Sequence, residues 1–146
     1  MSKKKPLNKL LSSKKSQSNL IAEQLQVIPN QSSKIKINLI NKVNSPKDLK
    51  KLKVEELPIL AQNIRDKIID TVSQTGGHLG GPLGTVELTL AVHYVFNTPK
   101  DKIVIDTGHQ SYTHKLVTGR KDKFHTLRQY KGVCGFCNIF ESEYDS

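Results

Sequence analysis

Apolar residues fall into a clear helical period in one stretch of the chain. Leu57, Leu60, Ile64, Ile68 and Val72 lie three or four apart, opposite Gln62, Arg65, Asp66 and Asp70. That pattern predicts an amphipathic helix from Pro58 to the Gly76-Gly77 pair, with Glu55 and Glu56 at its positive end. Upstream, Ser45-Pro46-Lys47-Asp48 predicts a short helix running to about Lys53, with Ser45 as a cap that accepts backbone N–H bonds. From Thr85 to Phe96 apolar residues cover nearly every face, the pattern of a buried helix, and Asn97-Thr98-Pro99 ends it. Lys102-Ile103-Val104-Ile105-Asp106 reads as a short buried strand leading into Thr107-Gly108-His109. Gln110 to Val117 reads as a helix stopped by Gly119, Lys121 to Tyr130 as a polar helical stretch, and Gly132 to Phe140 as loop. No internal repeat is visible.

Charge divides the 146 residues unevenly. The formal net charge is +10, and residues 1–40 carry eight lysines against the single acid Glu23. That segment is rich in Ser, Asn and Gln and too poor in apolar side chains to offset its ordering entropy. Residues 1–40 are therefore expected to be a disordered basic leader, with the Ser-rich, acid-poor composition of an organelle transit peptide but without its usual arginines. Residues 41–146 are expected to be the folded part. Polyanions could adhere to the leader, but aromatics for base stacking are not interleaved in it, so no specific nucleic-acid partner is expected. No apolar run approaches the roughly 18–20 residues that span a bilayer.

Candidate chemistry gathers around glycines and histidines. Gly76 to Gly84 holds five glycines in nine residues, a loop where backbone approaches a ligand closely. His78 and His109 each follow a glycine directly, and His109 follows the predicted strand, at the place where α/β sheets bind ligands. Either imidazole can donate to an anion. The other histidines, His93, His114 and His125, form no i, i+4 pair with one another or with these two, and Cys134-Gly-Phe-Cys137 is a single C-x-x-C without a second pair. No metal ligands are expected within this chain.

Several linked motifs then resemble one family. Asn44-Ser-Pro-Lys-Asp-Leu, Glu55-Glu-Leu-Pro, Thr75-Gly-Gly-His-Leu, Val86-Glu-Leu-Thr, His93-Tyr-Val-Phe-Asn-Thr-Pro, Asp106-Thr-Gly-His-Gln-Ser-Tyr and Glu141-Ser-Glu-Tyr-Asp occur in that order. Together, over about residues 40–146, they resemble the start of the 1-deoxy-D-xylulose-5-phosphate synthases, thiamine-diphosphate enzymes of the transketolase superfamily. The resemblance implies an α/β fold, the N-terminal portion of a thiamine-diphosphate-binding domain. It implies condensation of pyruvate with glyceraldehyde 3-phosphate with loss of CO2, on the non-mevalonate route to isoprenoids and toward thiamine. It implies thiamine diphosphate and Mg2+ as cofactors and a homodimer.

By the same resemblance His78 faces the reacting carbons as the catalytic histidine, and His109 lies against the cofactor. Gly77, Gly108, Gln110 and His114 support them. Glu87 in Val-Glu-Leu-Thr is as well explained by a structural ion pair as by catalysis. The chain departs from the family pattern at Ile105, Thr113, Cys134, Cys137, Asn138 and Ile139. The family's Gly-Thr-Gly-His-Ser loop and its Gly-Asp-Gly and Asn magnesium ligands come after the position of Ser146. The 146 residues alone are therefore expected to be inactive. The alternative is a truncated, non-catalytic paralogue or remnant that acts, if at all, through binding. A plastid stroma is the location implied by a transit leader on such an enzyme, with the cytoplasm as the bacterial alternative.

Overall fold

The computed structural model describes residues 37–146. The leader's residues 1–36, and the transit-peptide reading attached to them, lie outside the described residues. Ahead of Asn44, Leu39, Ile40 and Val43 are buried around a 3-10 turn at Ile40–Lys42. The Leu39 N–H donates to Asn63 Oδ1 at 2.8 Å, and Lys121 Nζ donates to the Ile40 and Asn41 carbonyls.

Five α-helical segments follow. The first, α1 (Pro46–Leu49), is shorter than the residue pattern predicts, and its cap works the other way round. The Ser45 hydroxyl donates to Asp48 Oδ2 at 2.9 Å rather than accepting a backbone N–H, and the same carboxylate oxygen accepts from the Asn44 N–H. Lys51 holds Asp48 Oδ1 at 2.8 Å. That bond, with the Ser45 hydroxyl, lowers the Asp48 pKa to about 2. After a turn at Val54–Glu56, α2 (Leu57–Thr75) runs as its period predicts, burying Leu60, Ala61, Ile64, Ile68 and Val72. Gly76 ends it at φ 74°, a left-handed backbone that suits glycine.

The glycine run is not loop throughout, because Gly80–Gly84 closes into the short helix α3. Helix α4 (Val86–Val95) buries only the Val86, Leu90 and His93 stripe against α2 and the later segments. Its opposite face is open, with Leu88 64% and Val95 67% exposed, so the fully buried helix read from composition is corrected to a half-buried one. The predicted strand is corrected as well. Lys102–Ile105 takes up no regular secondary structure and Asp106 bends, and no β-strand occurs among the described residues, because a strand is defined by a paired neighbour. The α/β expectation thus meets a described part that is helical. Next come a 3-10 turn at Gly108–Ser111 and α5 (Tyr112–Lys115). A wide turn at Leu116–Arg120 kinks at Gly119 (φ 91°), and a 3-10 turn spans Lys121–Thr126. Only the first part of the polar stretch at 121–130 is therefore helical. It gives way to a tight turn in which Arg128 (φ 63°) and Lys131 (φ 58°) hold left-handed backbones.

The core lies between α2, α4 and the segment from Tyr112 to Leu127. Tyr112, Leu116, Val117, Phe124 and Leu127 are fully enclosed there against Leu60, Ile64 and Ile68. Each such side chain contributes about 1.5–3 kcal/mol by leaving water. No helix among the described residues is long and apolar enough to cross a membrane.

Candidate active site

The two Gly-His segments, thirty-one residues apart in sequence, meet in space. The rings of His78 and His109 lie with centroids 4.3 Å apart at 35°. His78 follows Gly76 and Gly77 on the loop that leaves α2, while His109 sits on the 3-10 turn that follows Thr107. That turn is closed by the Gln110 N–H on the Thr107 carbonyl at 2.9 Å. His78 is exposed and His109 half-buried, so the pair faces outward.

Glycines set the pair by leaving room. A Cβ on Gly81 would stand 2.7 Å from His109 Nε2 and 3.6 Å from Gln110 Cγ, so the His109 ring rests on bare backbone of α3. A Cβ on Gly108 would collide with the Phe136 ring. Gly77, at φ 140°, lies over the buried Tyr112 phenol and against Arg128, whose Cδ is 3.4 Å from where a Cβ would sit. Gly77, Gly108 and Gln110 thus lie beside the two histidines. A groove of about 270 Å³ adjoins them, lined by Thr85, Leu88, Thr89 and Val92 on one side and by the irregular segment 103–107 and Gln110 on the other.

Residue reading missed Tyr112, Arg128 and Phe136. Arg128 reaches the site only because its backbone turns left-handed, which no side-chain pattern signals. Phe136, inside the C-x-x-C stretch, carries no spacing that would link it to Gly108.

His114 is elsewhere. It is 1% exposed and belongs to a buried polar cluster under the C-terminal segment. His114 Nε2 lies 3.0 Å from Asp145 Oδ1, His114 Nδ1 lies 2.8 Å from His93 Nε2, and His93 Nδ1 lies 3.1 Å from Thr98 Oγ1. A carboxylate only accepts, so His114 donates from Nε2 to Asp145, while the directions of the His114–His93 and His93–Thr98 bonds follow the ring tautomers. Burial, with the neighbouring charges on His114, Arg120 and Lys50, lowers the His93 pKa to about 3 and keeps it neutral. Asp145 Oδ2 accepts from Arg120 Nη1 at 2.8 Å and the Asn138 N–H at 2.7 Å, with Lys115 Nζ at 3.6 Å. Glu141 accepts from Lys115 Nζ (2.6 Å), Arg120 (3.0 Å) and the Cys134 N–H (2.7 Å). Burial pushes the Asp145 and Glu141 carboxyls up, but these donors outweigh it and hold both below the ordinary carboxylate range. Glu87 pairs with Arg65 across α4 and α2, the structural role the sequence left open.

The profile described as 1-deoxy-D-xylulose-5-phosphate synthase matches residues 40–146. The synthase of Dictyoglomus turgidum is 64% identical over 107 residues, covering 73% of this chain and 17% of that protein. The synthase of Halothermothrix orenii is 63% identical over 108 residues, 74% of this chain and 17% of the relative. That of Thermus thermophilus is 56% identical over 108 residues, 74% and 18%. The chain thus spans less than a fifth of the length of these curated relatives. All three are bacterial, and the plastid expectation finds no support among them. The chain belongs to the 1-deoxy-D-xylulose-5-phosphate synthase family, matching its N-terminal part.

Proposed function

We propose that residues 37–146 form one wall of the active site of a synthase that joins pyruvate to glyceraldehyde 3-phosphate with loss of CO2. Thiamine diphosphate and Mg2+ are its cofactors, and a bacterial cytoplasm and a homodimeric assembly are its setting. The observation that carries the reading is the His78–His109 ring pair, 4.3 Å apart on two glycine-backed loops.

Two outward-facing imidazoles offer ring N–H donors and lone pairs, a donor set that suits the carbonyl and anionic oxygens of the substrates and of thiamine diphosphate. When bound, thiamine diphosphate supplies the electron sink for loss of CO2. His78, the more exposed ring, holds the proton that passes to or from the substrate oxygen at the reacting carbon. His109 packs against it at a tilt of 35° and limits its motion, itself seated on Gly81 and on the turn closed by the Gln110 N–H. Oxygen ligands for Mg2+ do not converge on this pair among the described residues. The Mg2+–diphosphate end of the site belongs to other parts of such a synthase.

A chimera tests this. Residues 40–146 replace the matching stretch of the Dictyoglomus turgidum synthase, and product formation from the two substrates is measured. The chimera is expected to turn over, and His78→Ala to lower kcat by about 10²–10⁴-fold, the range of a lost general acid–base group. His109→Ala is expected to weaken thiamine diphosphate binding as well. A chimera that keeps its rate after both substitutions defeats the proposal.

A further inference from the structure

Beneath the site already described lies a second gathering of chemically active side chains. His114 Nε2, Cys137 Sγ and a carboxylate oxygen of Asp145 all lie within 4.8 Å of one another, with His114 and Asp145 buried and Cys137 half-buried. We propose that these three residues bind a zinc-class divalent ion, with Cys134 as the fourth ligand. Thiolate, imidazole and carboxylate together suit Zn2+ and not Mg2+, which takes oxygen ligands, so this centre is chemically separate from the cofactor's own metal.

The surroundings are arranged for such an ion. A zinc-bound histidine needs its other ring nitrogen oriented by a hydrogen bond, and His114 Nδ1 has one at 2.8 Å to His93 Nε2. With the ion on Nε2, the His114 proton moves to Nδ1 and is donated to His93. His93 then carries its proton on Nδ1 and donates to Thr98 Oγ1, so both buried bonds are made with the ion in place. Asp145 divides its work. Oδ2 is held by Arg120 and the Asn138 N–H, while Oδ1 faces His114 and is released to the ion when His114 gives up its Nε2 proton. Ligand atoms around tetrahedral zinc stand about 3.3–3.8 Å apart, so the cluster closes by a shift of about 1 Å.

Charge selects the fourth ligand. Lys115 and Arg120 are matched by Glu141 and Asp145, so these four charges balance without an ion. A divalent ion with the Cys137 thiolate alone would leave one buried positive charge, and a second thiolate cancels it. Cys134 is three residues away in the C-x-x-C spacing common to zinc sites, and its N–H is already fixed on Glu141 Oε2 at 2.7 Å. Binding releases the two thiol protons to solvent and oxidises nothing.

The 146-residue chain, purified with chelator and returned to reductant, is titrated with Zn2+ against a chromophoric chelator and separately with Co2+. One Zn2+ per chain is expected, with a cobalt–thiolate absorption band. Cys137→Ser is expected to weaken Zn2+ binding by more than about 100-fold, and His93→Gln by about 10–100-fold, the usual range for a partner that orients a ligand. Cys134→Ser is expected to weaken binding and to lower proton release from two per ion to one. Should a variant fail to fold by circular dichroism, iodoacetamide alkylation of the wild type decides: Zn2+ should protect both cysteines. Substoichiometric binding, binding that survives Cys137→Ser, or alkylation of Cys137 unaffected by Zn2+ overturns the site.

Discussion

Replacing Asp145 with Asn tests the buried charge cluster most directly. The Asp145 side chain is fully enclosed, as is that of Lys115, and Arg120 is 8% exposed. Asn keeps the shape and still accepts from His114. Its amide NH2, however, would face the Arg120 guanidinium and the Asn138 N–H, a donor set against two donors. Glu141 alone would then balance two enclosed cations. Breaking a buried pair by removing one partner costs about 3–5 kcal/mol, and that is the destabilisation expected here in urea unfolding of the chain at pH 7. The exposed Asp122→Asn serves as control and should stay within about 0.5 kcal/mol. Adding Arg120→Met to Asp145→Asn removes one stranded cation, so the double variant should lose less than the sum of the singles by about 0.5–3 kcal/mol. A cost under about 1 kcal/mol for Asp145→Asn, with additive singles, would show that water reaches the carboxylate and that the cluster does not hold the segment.

Three further outcomes are expected. Gly81→Ala places a Cβ 2.7 Å from His109 Nε2, so in the chimeric synthase it should displace the ring and lower kcat at least about tenfold, with the unfolding midpoint little changed; an unaffected kcat speaks against His109 as a site residue. Ile64→Ala, at a position with no exposure on α2, should cost about 2–5 kcal/mol in urea unfolding, whereas Ile69→Ala, at 46% exposure, should cost under about 1 kcal/mol. Asp48 should stay ionised in the folded chain down to about pH 2, because Lys51 and Ser45 lower its pKa. Its contribution is then complete above the ordinary Asp range and lost as pH falls through that value, and a carboxyl NMR signal titrating near 3.8 would contradict it.

Some of this was legible in the residues and some was not, for physical reasons. Helix α2 declared itself because a stripe recurring every three or four residues has no other economical fold. His78 and His109 stood out because glycine before a histidine strips away neighbouring side chains, and their pairing follows. Composition misjudged α4 because an apolar face looks the same whether or not another element covers it. The strand at 102–106 failed for a related reason, since Ile-Val-Ile states a preference while pairing requires a neighbour. Least visible was the cluster of His93, His114, Lys115, Arg120, Glu141 and Asp145. Its members come from three separated stretches, and no local spacing encodes their convergence.

That cluster bears on the site through the backbone of the C-terminal segment. Asp145 takes the Asn138 N–H and Glu141 takes the Cys134 N–H, so the Cys134–Cys137 turn is pinned at its first residue and at the residue that follows its last. The middle of that turn touches both histidine loops. Phe136 fills the space that Gly108 leaves beside His109. Gly135 lies against the Arg128 side chain, which in turn lies against Gly77 beside His78. Two contacts, each made at a glycine, thus carry the position of the pinned turn to two rings 4.3 Å apart. A tilt of the turn would move both loops together, because the same four residues support each. The charges of Lys115, Arg120, Glu141 and Asp145 are therefore better understood as positioning devices than as net stabilisers: an apolar cluster of equal volume could match their stability but would not pin the two N–H groups that hold the turn in place.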